Sequence, residues 1–266
     1  MVLESAVPND NVIPLLRPEL MIKMGKKEEA VLRLEEIVNG MPENYFAWEK
    51  LLLAYFELKD FERLTIKGNE CATKFNTSFF AKLLYATGAT ETGKYDIALN
   101  ELKKAEILAG QDSELLLQVY TIKADVYYKN KEYSKAFETY EDAMKINSDD
   151  MTLLNNYAYY LAEQNLNLKE AEMLAKKVIE TEKDNTTFLD TYGWVLYKRG
   201  KYSEAAKVFE SIINSNEEPD AEWYEHYGYI LQRQKKCSKA VELWENALKI
   251  DPSKMHLKKE IESCTR

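Results

Sequence analysis

The chain has 266 residues, 45% of them hydrophobic and 30% charged, with a formal net charge of −9. Nine Gly and six Pro are few, which speaks for helices over a loop-rich β protein. An acidic surface repels phosphate backbones, so nucleic acid is not the expected partner, and no apolar run approaches the roughly 20 residues that span a bilayer.

The chain repeats itself. Thr191-Tyr-Gly-Trp-Val-Leu-Tyr-Lys-Arg-Gly-Lys-Tyr-Ser-Glu-Ala205 reads as a helix, a turn at Gly200-Lys201 and the start of a second helix. Tyr157-Ala-Tyr-Tyr-Leu-Ala162 and Tyr227-Gly-Tyr-Ile-Leu-Gln232 match it thirty-five residues to either side. A fixed period of this length signals a repeat architecture. Each copy can be numbered in thirty-four slots, a first helix in about one to fourteen and a second in about seventeen to thirty.

In chain order, residues 1–10 lack the basic and apolar regions of a secretory signal. Leu3, Ala6 and Pro8 fit the end of a preceding repeat's second helix, with a disordered tail as the alternative. The first full copy is 11–44, whose first helix is predicted to start near Pro18, because proline is tolerated only in a first turn. The second, 45–78, has Leu52 and Leu64 where other copies hold small residues. The third is 79–112. Residues 113–116 are an insertion of about one turn, predicted to lengthen the first helix of 117–150. The copies 151–185, 186–220 and 221–254 follow. Residues 255–266 read as one amphipathic helix with Leu257 and Ile261 facing inward.

Small residues Gly193, Ala205, Gly228 and Ala240 alternate with Phe209 and Trp244 in fixed slots, and Pro252 falls near a copy's end. The pattern resembles the tetratricopeptide repeat (TPR) family, W-x2-L-G-x2-Y then A-x3-F, A and P. The resemblance implies an all-α, right-handed α-solenoid of about seven helix-turn-helix repeats, closed by 255–266 as a capping helix. Glycine in slot eight lets two helices cross closely, so Gly193→Leu is expected to overpack its repeat.

The resemblance also implies that first helices line the inside of the superhelix. Carried over slot by slot, the peptide-binding positions are Phe46, Phe56, Phe80, Asp125, Tyr128, Tyr159, Asp190, Trp194, Tyr197, Glu225 and Tyr229. Tyr159, Trp194 and Tyr229 share slot nine and form a predicted aromatic ladder, with Asp125, Glu163, Asp190, Glu222 and Glu225 around it. Such a groove favours a protein or peptide with apolar anchors and Lys or Arg. On this reading Trp194→Ala weakens binding with little loss of stability. The two-carboxylate clamp of chaperone-tail adaptors is absent, since Thr121, Asp125, Thr187 and Thr191 stand in its slots.

No phosphate loop, nucleophile triad or metal cluster is visible, so no catalytic residue, cofactor or metal is assigned. His226, beside Glu222 and Glu225, reads as a solvated surface group. Cys71, Cys237 and Cys264 form no disulfide framework, and Cys71 and Cys237 fall in core slots. The expected function is a non-catalytic scaffold that binds a peptide segment or helix of a partner. The last copies look most like bacterial TPR proteins, many of which are exported or lipid-anchored and serve in envelope assembly. The alternatives are the interaction portion of a larger enzyme or sensor, and a structural protein that self-associates. As given, the chain reads as cytoplasmic; as part of a longer exported precursor it would be periplasmic or lipid-anchored.

Overall fold

The structure, a computed structural model, describes residues 12–215, 217 and 220–265. The expectation for 1–10 therefore lies outside the described residues. Among the described residues there are fifteen α-helices and no strand. No helix among them is long and apolar enough to cross a membrane. The chain divides into two compact units, Met1–Ile146 and Asn147–Arg266.

The first unit holds α1 (Leu16–Lys23), α2 (Lys27–Gly40), α3 (Tyr45–Glu57), α4 (Phe61–Lys74), α5 (Phe79–Glu91), α6 (Tyr95–Ala109), α7 (Ser113–Lys129) and α8 (Tyr133–Ile146). Each helix packs on the next in sequence through α8. A short 3-10 turn, Ile13–Leu15, absorbs Pro14, and α1 begins two residues before Pro18. The inserted Ser113–Leu116 forms the first turn of α7, which has 17 residues against 13 in α3 and α5.

Leu52 and Leu64 are fully buried. Gly68 occupies the slot that Phe209 and Trp244 fill in later copies, and Gly88 on the next helix makes room for Leu64, whose Cγ would stand 3.0 Å from a Cβ there. A Cβ on Gly68 would stand 3.0 Å from the Tyr85 Cα, and one on Gly88 2.9 Å from the Thr65 amide nitrogen. Helices α4 and α5 thus touch backbone to backbone, a closeness that only a missing side chain permits.

The second unit holds α9 (Met151–Glu163), α10 (Leu168–Thr181), α11 (Thr186–Lys198), α12 (Tyr202–Ile213), α13 (Ala221–Arg233), α14 (Cys237–Ile250) and α15 (Leu257–Thr265). Here α9 pairs with α10, α11 with α12 and α13 with α14, while α9 touches α11 and α11 touches α13. A Cβ on Gly193 would lie 2.6 Å from Phe209, and one on Gly228 2.3 Å from the Trp244 indole nitrogen. The slot-eight glycine therefore makes room for the large ring of its own second helix.

The expectation that the cysteines form no disulfide needs correction. Cys237, read as a small core residue, forms a disulfide with Cys264 across 27 positions, tying the start of α14 to α15. Pairing depends on spatial approach, and spacing along a chain does not reveal it. Cys71 is buried as expected, and burial pushes its thiol up to about 12.

Candidate functional site

The first helices α9, α11 and α13 of the second unit share one face. Tyr159, Trp194 and Tyr229 line a single cleft of ≈ 460 Å³ together with Tyr197, Glu225 and His226. The Trp194 ring stacks on His226 at 4.0 Å and on Tyr197 at 4.7 Å, and the Tyr229 ring lies 6.3 Å away. The Tyr159 hydroxyl donates to Glu222 at 3.1 Å, bridging α9 to α13. The helical repeat places these rings one copy apart on the same side, and the stack between α11 and α13 fixes their orientation.

The sequence reading of His226 as a solvated group is overturned. It is 5% exposed, with Nδ1 2.9 Å from Asp190 Oδ1 and Nε2 3.8 Å from Glu222 Oε1. Burial pushes its pKa down, but the Asp190 charge and hydrogen bond, with Glu222 and Glu225 beyond, outweigh this and hold it above the usual histidine range. Trp194, expected as an open ring, is only 7% exposed. Its indole N–H donates to Glu163 at 2.8 Å, so it belongs to the wall of the fold as much as to the cleft.

Most acids of the face are answered from within the chain. Lys198 pairs with Glu163 at 3.0 Å and lies over the Trp194 ring at 4.9 Å. Glu225 is held by Lys254 at 2.6 Å and His256 at 2.9 Å. Burial would raise the Glu225 carboxyl, yet those two hydrogen bonds keep it below the usual range. Burial first, then Glu222 and Glu163, raises the Tyr159 hydroxyl, and burial pushes Tyr229 up to about 12. All three groups thus stay in their hydrogen-bonding form near neutrality: phenols as donors, Glu225 as an acceptor.

Beside the cleft lies a smaller pocket of ≈ 190 Å³, lined by Asn155, Asn156, Tyr159, Thr187, Asp190 and Glu222 among others. Asp190, Glu222 and His226 offer oxygen and nitrogen atoms within 4.8 Å of one another.

The first unit places its predicted residues differently. Phe46, Phe56 and Phe80 are exposed, at 56%, 44% and 47%. Phe56 packs edge-on to Phe61 at 6.4 Å, and Phe80 meets Phe79 at 5.4 Å. Asp125 accepts a hydrogen bond from Tyr140 on α8, and Tyr128 packs on Tyr133 and Phe137. These two serve the α7–α8 pair. Sequence reasoning placed Lys198 on this face but missed Lys254 and His256 as parts of the cleft. Lys254 is the last residue of the final repeat and His256 lies just beyond it, where no repeat rule predicts an inward direction.

The tetratricopeptide repeat model matches residues 193–254. None of the curated proteins matches the sequence significantly. Among solved structures, a tetratricopeptide repeat protein from Parabacteroides merdae is similar at 16% identity and a TM-score of 0.71, over 96% of this chain and 99% of that one. A chain of the APC/C hetero-tetramer Cut9–Hcn1 is similar at 13% identity and 0.71, over 97% of this chain and 50% of its own length. Human IFIT1, solved as a dimer with m7Gppp-AAAA, is similar at 14% identity and 0.71, over 91% of this chain and 60% of its own. At these identities the likeness is one of fold.

Proposed function

We propose that this chain, a member of the tetratricopeptide repeat family, works as a non-catalytic scaffold that seats a peptide segment or helix of a partner protein in the cleft formed by α9, α11 and α13. The observation that carries the reading is the convergence of Tyr159, Trp194, Tyr197 and Tyr229 on one open cleft. Aromatic rings offer large apolar area with few rotamers to freeze, and they attract cations through their faces. His226 is committed to Asp190 and covered by Trp194, which suits a residue that braces a wall better than one that transfers protons. The Cys237–Cys264 bond supports an oxidising compartment, in keeping with a role in envelope assembly.

The test is selection of a random 12-residue peptide display library on the whole chain. Peptides held in the cleft should lose about tenfold or more in affinity on Tyr229→Ala and keep it on Tyr229→Phe, since the ring carries the contact. Selected peptides indifferent to Tyr229→Ala would count against the cleft.

A further inference from the structure

The smaller pocket on the same face is short of one positive charge and one hydrogen-bond donor. Glu163 and Glu225 are neutralised by Lys198, Lys254 and His256. Among the described residues, Asp190 and Glu222 share His226 as their ion-pair partner, with Lys254 acting on Glu222 at longer range. Two carboxylates against one imidazole leave at least one negative charge whichever form the ring takes, and the Tyr159 hydroxyl on Glu222 adds a hydrogen bond but no charge.

A second observation is independent of the acids. Asn155 also lines this pocket, is 5% exposed, and its Oδ1 has no hydrogen-bond partner. Its Nδ2 is turned to Asn156 Oδ1 at 3.5 Å. Buried carbonyl oxygens are nearly always paired, so an orphan beside a cavity points to a donor that arrives with a ligand.

We propose that this pocket takes one basic side chain, a lysine or an arginine, from the segment held in the adjoining cleft. An ammonium or guanidinium brings both the missing charge and several donors at once, and carries no acceptor that would be repelled. The volume of ≈ 190 Å³ suits a single side chain and not a folded element. The proposal rests on the cleft reading above and gives that cleft a direction, because the basic residue must stand at a set distance from the apolar anchor.

The test uses the peptides from the same library that Tyr229→Ala fails to bind. They are expected to share one Lys or Arg at a fixed spacing from an aromatic or aliphatic residue. Replacing it by norleucine should weaken binding about tenfold or more, with the Lys-to-Arg exchange telling which cation fits. Glu222→Gln, at a partly exposed site, should weaken the parent peptide equally and leave the norleucine peptide unaffected. Asn155→Ala should weaken the parent peptide in the same selective way. If Tyr229-dependent peptides lack a basic residue or ignore Glu222→Gln, the pocket assignment falls and the cleft stands. If no peptide depends on Tyr229, both fall.

Discussion

At the residue scale, the Asp190–His226–Trp194 stack joins stability to the site. The imidazole is enclosed by Asp190, Glu222 and the Trp194 ring, with Phe209 edge-on at 6.0 Å and Glu225 acting at longer range. Its folded pKa is raised, so the charged form is favoured in the native state. Below about pH 6.5 folded and unfolded chains both hold the proton and the stabilisation is complete. As pH rises through the raised folded value, the unfolded chain has already released its proton and stability falls. Urea midpoints should therefore decline across that window and lose this slope in His226→Gln. Trp194→Ala should cost about 3–5 kcal/mol in the same assay, contrary to the expectation of a harmless groove substitution. Gly228→Leu should cost about 1–3 kcal/mol or more, because its Cβ would sit 2.3 Å from Trp244.

At the element scale, one backbone position recurs. Gly25, Lys59, Gly93, Lys131, Asn165, Gly200 and Lys235 all have positive φ and all occupy the fifteenth slot, just after a first helix. A left-handed residue there ends one helix and aims the next. Lysine tolerates this conformation at a cost of about 1 kcal/mol that glycine avoids. Lys235→Gly should thus raise stability by up to about 1 kcal/mol in urea titration, while Gly200→Val should lower it. The other ends are capped by Asn44, Asp60, Ser78, Asp112, Asp150, Asn185 and Asp220, whose side chains accept from first-turn amides. The Cys237–Cys264 bond closes a loop worth about 3–4 kcal/mol on chain-entropy grounds. Reduction should lower the melting temperature and speed amide exchange in α15 first.

At the scale of the whole molecule, what was legible in the sequence was what repeats. The turn glycines, the slot-eight glycines and the ladder Tyr159, Trp194 and Tyr229 recur at a fixed spacing, and local geometry alone puts them on corresponding faces. The extra turn of α7 was legible too, because an insertion inside a helix has only one place to go. What was hidden depends on partners found once. The Asp190–His226 contact spans 36 residues, Glu225 finds Lys254 at the very end of the last repeat and His256 beyond it, and Cys264 lies on a terminal helix with no repeated counterpart. Charge counting along the first helices saw the acids but not Lys254 and His256, which answer Glu225 from beyond them, so it made the cleft look more acidic than it is. On the proposed reading the charge left for recognition is correspondingly narrower, that of Asp190 and Glu222.

The central claim is that the partner lies against α9, α11 and α13. Its most direct measurement is a backbone amide NMR titration of the whole chain with a display-selected 12-residue peptide. The account predicts the largest shifts at Asn156, Tyr159, Thr187, Glu222 and Tyr229, with α10, α12 and α14 little moved. Shifts concentrated on α10, α12 and α14, with those five residues silent, would contradict it.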